Sequence, residues 1–543
     1  MANRPEWSNR FTGLILGGVL ALAFWLRVRG LDLLIPYFVN PDEWRILDSA
    51  LNIIKTGDWN PHNFKYGALL IYVTTFIYSS YFLLSAFFRG GGLHSALEMS
   101  QSFPPWGNDY VLFYLGRLFC VGAGVLLSYL SYLVGKRLFN QKVGLIAAFF
   151  AAILPLSVER SQIFNVDIFS TLGSLAALYF SIGIMDKRET GFKNYLWAGL
   201  SAGIALAAKY NFLAFLPVLG AHLLGFSPAE GKRKFKWIAR ALFDPKLWLA
   251  AYAALLVFVL FNPFVLFDWP GFVREMRPFF QHNQLPNFSY FHSLIYHRYI
   301  FQALLLFPAI YTPFLFLAAA GGAWEIGKEA RGKLLLLFIF PLGYFAFAGG
   351  IMLVAYHQHY FPLLPFVALS GAYFFVSGWE LQSAWKKIFK GIFFGVLVIF
   401  CLSDIVYPHF RPLYTIHSDL GKWLKAEVGE NEKAILTGWF FSPDPTFWRG
   451  RFRKTVRSSN FSDDLIESGE YDYIVVLAAE TLEKDAGYFN SQAGWETSEK
   501  LREGRFDYRL IKKIDFPQWW RTAAERVFPL GRGFRFEIYR KMK

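Results

Sequence analysis

The chain has 543 residues, 55% hydrophobic and 20% aromatic against a charged fraction of 17%, with a mean hydropathy of +0.31. That composition excludes an ordinary soluble enzyme and points to a polytopic membrane protein, whose net charge of +15 belongs to loops at a membrane surface and not to nucleic acid. Cys120 and Cys401, the two cysteines, both sit inside apolar runs, which leaves neither a disulfide framework nor a cysteine zinc site, and no internal repeat or low-complexity tract interrupts the chain.

Twelve apolar runs approach or reach the length of a membrane crossing: residues 11–28, 66–88, 110–134, 143–158, 167–185, 196–208, 211–226, 247–267, 299–320, 334–356, 360–376 and 388–401. The first is expected to act as a signal anchor, since no clean cleavage site follows it. Five connecting loops hold most of the loop cations: Lys136/Arg137/Lys142, Lys187/Arg188/Lys193, Lys232 to Lys246, Lys328/Arg331/Lys333 and Lys386/Lys387/Lys390. The positive-inside rule makes them cytoplasmic and places Asp167, Lys209, residues 268–298, His357–His359 and everything after residue 406 outside. The alternation requires an odd number of crossings between Asn40 and Lys136, where two apolar runs lie. Residues 66–88 are therefore expected to lie at the interface or to re-enter, leaving eleven true spans. The expected architecture is an all-α polytopic domain over 1–406 followed by a small extracytoplasmic α/β domain over 407–543. That tail is far richer in charge, with strand-like stretches at 434–437, 473–477, 508–512 and 534–539 and a helix-like one at 420–428.

Polar residues in costly places mark the candidate site. After the first span, Asn40-Pro41 reads as a turn into an amphipathic helix whose stripe is Trp44, Leu47, Ala50, Leu51 and Ile54, with Asp42 and Glu43 at its start. Asp42 and Asp167 can each be a helix cap. As two carboxylates at one membrane face in an acid-poor protein, they also suit a general base with an acidic partner. Lys209 stands between two apolar runs, where a cation needs an anionic partner or must snorkel. His357 and His359, spaced i, i+2, suit donation to a phosphate better than metal ligation. Arg160, Arg27 and Arg29 add to the cationic side. A lipid phosphate as leaving group needs cations and hardly any acid, and the acceptor hydroxyl needs a single base.

These residues, in this order and spacing, resemble the membrane glycosyltransferases of the C-type (GT-C) fold, in the branch of the dolichyl-phosphate-mannose protein mannosyltransferases and the lipid A aminoarabinose transferase. The resemblance covers roughly 12–406. It is carried by Asp42-Glu43, Gly57-Asp58-Trp59-Asn60-Pro61-His62, Asp167, Ala208-Lys209-Tyr210, Asn262-Pro263 through Asp268, and His359-Tyr360 through Pro365. It implies an inverting transfer from a polyprenyl- or dolichyl-phosphate sugar to a hydroxyl acceptor in the bilayer's outer face. Asp42 would be the base, Glu43 would support it and Asp167 would orient a substrate. Lys209, His359, Arg160 and His357 would hold the donor phosphate, and His62, Lys65 and Tyr360 the rest of the substrates. His359 stands where the family commonly has Arg, which makes donor binding sensitive to pH near the histidine range. A divalent cation, Mg or Mn, on Asp42, Glu43 and Asp167 stays open. A transporter or flippase of lipid-linked saccharides is the alternative, weakened by the absence of two similar halves.

Overall fold

The computed structural model describes residues 9–32, 41–103, 110–186, 191–226, 236–281, 307–351, 357–378 and 383–406. In the tail it describes 419–420, 423, 426–428, 432, 434–437, 454–456, 462–478, 492–515 and 535–542. Among the described residues, 1–406 form helices joined by turns and short loops, with no strand. In chain order come α1 (Asn9–Val28), α2 (Pro41–Thr56), α3 (Leu69–Phe88), α4 (Leu93–Ser102), α5 (Val111–Leu138), α6 (Gln141–Ile153), α7 (Pro155–Gln162), α8 (Asp167–Met185) and α9 (Phe192–Lys209). A 3-10 turn at Phe212–Phe215 leads to α10 (Leu216–Phe226), α11 (Lys236–Leu242), α12 (Pro245–Phe261), α13 (Phe264–Phe267) and α14 (Trp269–Gln281). Then follow α15 (Phe307–Tyr311), α16 (Pro313–Glu329), α17 (Arg331–Ile351), a 3-10 helix at His357–Leu363, α18 (Leu364–Val376) and α19 (Ala384–Val406).

Among the described residues, five helical segments are long and apolar enough to cross a membrane: Asn9–Val28, Leu69–Phe88, Val111–Leu138, Asp167–Met185 and Gln358–Val376. A sixth is the pair α6 and α7 if it is one span, bent by 57°. Pro155 causes that bend: it disfavours helix at Leu154 and brings no N–H for the carbonyl of Ala151. Arg27 supplies the missing donors, giving hydrogen bonds to the carbonyls of Ala151 (2.9 Å) and Ala152 (3.0 Å) and to the hydroxyls of Ser157 (2.9 Å) and Ser161 (3.0 Å). Buried completely, Arg27 is thus spent on the break in the helix and not on the cationic side of a phosphate site. Helices α8, α9 and α12 pack through small residues, and a Cβ at Gly199 would stand 2.2 Å from the carbonyl oxygen of Ala250.

Helix α2 confirms the amphipathic reading and shifts its stripe. The buried side chains are Glu43, Ile46, Leu47, Ala50, Leu51 and Ile53, and Trp44 and Ile54 are half-buried. The tail holds a five-stranded sheet of β1 (Ala434–Thr437), β2 (Lys454–Val456), β3 (Tyr473–Ala478), β4 (Tyr508–Asp515) and β5 (Arg535–Lys541), with helices at Asp463–Glu467 (α20) and Gln492–Arg502 (α21). Strand order is β2-β1-β3-β5-β4, with β1 parallel to both neighbours and β5 antiparallel to β3 and β4. Ile466, Ile474, Val476, Leu501, Phe506 and Tyr539 form its core.

Candidate active site

The site forms where helices end. Helices α8 and α9 are an antiparallel pair, so Asp167, the first residue of α8, meets Lys209, the last of α9, at the end of the bundle opposite Lys136 and Lys193. Their side chains form an ion pair in which Asp167 is 5% and Lys209 18% exposed. The main chain of Asp167 is fixed from both sides: its N–H donates to Asn165 Oδ1 (3.0 Å) and its carbonyl accepts from Thr171 Oγ1 (2.8 Å). Past Lys209 the helix stops because Tyr210 takes a left-handed conformation, φ 52°.

Tyr210 turns its hydroxyl to the carbonyls of Phe64 and Tyr66, 3.1 Å each. The segment 64–68 is pinned at three further points. The N–H of Phe64 donates to Glu275 Oε2 on α14 (2.5 Å), the N–H of Ala68 donates to Asn262 Oδ1 (2.7 Å), and Gly67 lies flat on the end of α9. A Cβ at Gly67 would fall 1.8 Å from the carbonyl oxygen of Ala207, so only glycine fits there. This clamp delivers Tyr66, whose hydroxyl donates to Asp42 Oδ1 at 2.7 Å. Burial and the neighbouring Asp42 push the Tyr66 hydroxyl well above the usual phenol range, and Asp167 lies close enough to add to the effect. Of the two candidate carboxylates, Asp42 thus holds the tyrosine directly and Asp167 acts on it only through its charge. Lys65 stands half-buried near Asp42, Glu275 and Arg45, and burial, followed by Arg45, holds its ammonium below the usual lysine range.

Asp42 and Glu43, consecutive on α2 and so about 100° apart around it, take different partners. Glu43 is buried and takes both Nε and Nη2 of Arg117, 2.8 Å each, and Glu43 Oε1 also accepts from the N–H of Phe164 at 2.8 Å. Arg117 Nη1 donates to the carbonyl of Leu31 (2.8 Å). The pair ties α2 to α5 and to the loop ahead of Asp167. Among the described residues no group of three His, Cys, Asp or Glu side chains is set to hold a metal ion. The trio Asp42, Glu43 and Asp167 does not assemble as a metal centre, because both Glu43 oxygens belong to Arg117.

Arg160, expected at the donor phosphate, is 1% exposed and spans from Glu159 (2.6 Å) to Gln358 (2.9 Å), joining α7 to the 3-10 helix that carries His359. His359 is half-buried and its carbonyl accepts from Tyr344 (2.8 Å); its 3-10 helix packs against α8, the helix that Asp167 opens. The side chain of His357 lies outside the described residues. Tyr360 is buried completely against Phe307, with its carbonyl held by Tyr311 (2.6 Å), and belongs to the core. His62 points away, to Asp58 at 2.8 Å, half-exposed in a turn where Asn60 Nδ2 reaches Asp268 (2.9 Å). Sequence reasoning missed Arg117, Tyr66 and Glu275, and singled out the motif of Asn262 without giving that residue a role. The signal for Arg117 was available: a lone arginine inside an apolar run demands a partner.

The sequence matches a family model, "dolichyl-phosphate-mannose-protein mannosyltransferase", over residues 114–266. No curated protein matches it in sequence. Among solved structures the chain superposes on the archaeal oligosaccharyltransferase AglB from Archaeoglobus fulgidus, in complex with an inhibitory peptide and a dolichol-phosphate. The TM-score is 0.52 at 11% identity, covering 99% of this chain and 89% of that one. It also superposes on ArnT from Cupriavidus metallidurans bound to undecaprenyl phosphate, with a TM-score of 0.51 at 14% identity, covering 98% of both chains. The likeness to these structures is one of fold. The chain is thus a membrane protein of the C-type glycosyltransferase fold, and the resemblance its motifs carry to the branch of the protein mannosyltransferases and ArnT is borne out by that fold and by the family model over residues 114–266.

Proposed function

We propose that the protein transfers a sugar from a polyprenyl-phosphate donor to a hydroxyl acceptor, with inversion, at the extracytoplasmic face. The observation that carries this reading is the gathering, at one end of the bundle, of Asp42 bonded to Tyr66 and of Asp167 bonded to Lys209. The lipid phosphates in the two superposed structures, dolichol-phosphate and undecaprenyl phosphate, support the class of carrier. The acceptor oxygen attacks the anomeric carbon, its proton passes to the Asp42 carboxylate, and the bond from that carbon to the phosphate oxygen breaks. Polyprenyl phosphate leaves as an anion that Lys209, Lys65 and His359 stabilise. Asp42 is held for this by Tyr66 on one side and, through its neighbour Glu43, by Arg117 on the other.

Residues 1–406 would carry the transfer and 407–543 form an extracytoplasmic unit. On this reading the chain makes eleven crossings, and the contacts of α3 support its place at the interface. Its start is held at the ends of α9 and α12, and Tyr78, in mid-helix, donates to the carbonyl of Leu112 (2.9 Å) in the first turn of α5. All three of those helix ends lie opposite the basic loops, so α3 runs across the outer ends of the spans. A reporter fused after Lys543 should read extracytoplasmic. Purified protein incubated with a panel of polyprenyl-phosphate sugars should release polyprenyl phosphate from at least one, and a panel without release would defeat the proposed reaction.

A further inference from the structure

Lys209 is the cation the motifs assign to a donor phosphate, yet its ammonium is bonded to Asp167. The two partners are not equally placed. Asp167 is nearly sealed, with its backbone fixed by Asn165 and Thr171, whereas Lys209 ends its helix, keeps 18% exposure and has a long flexible side chain. An anion arriving from the bilayer can reach the ammonium without disturbing the carboxylate. A phosphate oxygen offers the lysine the same charge-assisted bond that Asp167 gives it, so the two compete for one cation.

We infer that the donor phosphate takes Lys209 away from Asp167, and that Asp167 serves until then as an internal occupant of the phosphate position, setting how tightly the lipid binds. This rests on the reading of the protein as a polyprenyl-phosphate-dependent transferase. No covalent bond changes in the exchange, and Lys209 keeps its proton. Its consequence is an order of events. Once the lysine has moved, the Asp167 charge is uncovered at the end of the bundle where Tyr66 already holds Asp42. The acceptor hydroxyl then meets two carboxylates in place of one carboxylate and a neutralised pair, so the donor binds before the acceptor.

The test is binding of undecaprenyl phosphate to the full-length protein in detergent, with phosphatidylglycerol as the control for an ordinary anionic headgroup. Asp167→Asn should tighten undecaprenyl phosphate binding about tenfold, which equals ~1.4 kcal/mol. Lys209→Met should weaken it, and the double variant should behave as Lys209→Met, because the gain acts through the lysine. Asp167→Ser repeats the measurement should the asparagine variant not fold. General damage to the site lowers affinity and cannot produce the gain. Unchanged or weakened binding in Asp167→Asn and Asp167→Ser overturns the exchange. An equal gain for phosphatidylglycerol overturns the assignment of the lysine to the polyprenyl phosphate. If the wild type itself binds no undecaprenyl phosphate, the functional reading fails along with the inference.

Discussion

Two ion pairs stand at the same end of the bundle and differ in nearly everything but charge. Glu43–Arg117 is sealed, its side chains 0% exposed, with two parallel bonds between the partners and additional bonds to Phe164 and Leu31. Asp167–Lys209 joins a sealed acid to a lysine with 18% exposure at a helix end. The first satisfies its partners so completely that nothing is left to bind a substrate. The second is held by a flexible cation that another anion can reach. Closed pairs position and open pairs exchange, and the neighbouring residues Asp42 and Glu43 fall on the two sides of that division.

The sharpest way to break this comparison is to neutralise Asp42 and, separately, to open the Glu43–Arg117 pair. Asp42→Asn should cut transfer by roughly 10²–10⁴-fold, the usual worth of a general base, while leaving the melting temperature close to that of the wild type. A variant that keeps nearly full turnover shows that the base lies elsewhere. Arg117→Met should instead act on folding. It strands Glu43 in the core, where breaking one side of a buried pair costs about 3–5 kcal/mol. Melting temperature should drop sharply, and the double variant Glu43→Leu/Arg117→Met should recover much of the loss. A single Arg117 variant as stable as the wild type would remove Glu43 from its positioning role.

How far the sequence disclosed all this depends on the range of the interaction concerned. Within one element, periodicity is informative. The helix from about Asp42 was legible, but its stripe was placed on Trp44, Leu47, Ala50, Leu51 and Ile54, which hid that Glu43 shares the buried face of Ile46, Leu47, Ala50 and Ile53. Four of the five tail strands were legible from their alternation. The three-residue β2, set in a basic run, carries no apolar period to detect. Across elements, single residues were legible but not their partners. Asp167 and Lys209 each stand out because charge is costly near a bilayer, yet only the packing of α8 on α9 reveals that they meet. Arg160 stood out for the same reason and is spent on Glu159 and Gln358. Tyr66 gave no signal at all, since a tyrosine at the edge of an apolar run is ordinary in a membrane protein.

A smaller effect tests the clamp that presents Tyr66. Gly67→Ala puts a methyl group against the carbonyl of Ala207, and backbone on both sides leaves little room to give. Overpacking of this kind costs about 1–3 kcal/mol. Segment 64–68 should shift with it, so turnover should fall by more than the loss of stability explains, because Tyr66 moves off Asp42. A variant that loses stability but keeps the turnover of the wild type separates the clamp from the chemistry.

The smallest expected effect concerns the turn at 58–62, which the motifs singled out and the site left to one side. The N–H of Asn60 and then His62 hold the Asp58 carboxyl below its usual range, and the Asn60 side chain and then the Gly271 N–H do the same for Asp268. A carboxyl whose folded-state pKa is depressed contributes its stability above the unfolded value, about 3.9, and loses it only as pH falls through the lower folded value. Between pH 5 and 8 both carboxyls stay ionised, so their own titration should add no slope to a profile of melting temperature against pH, and Asp58→Asn should lower that profile within the window. His359, on the 3-10 helix that packs against α8, belongs to the open side of the comparison, and a slope near neutral pH that is lost in His359→Gln but kept in Asp58→Asn would assign the pH response to that side.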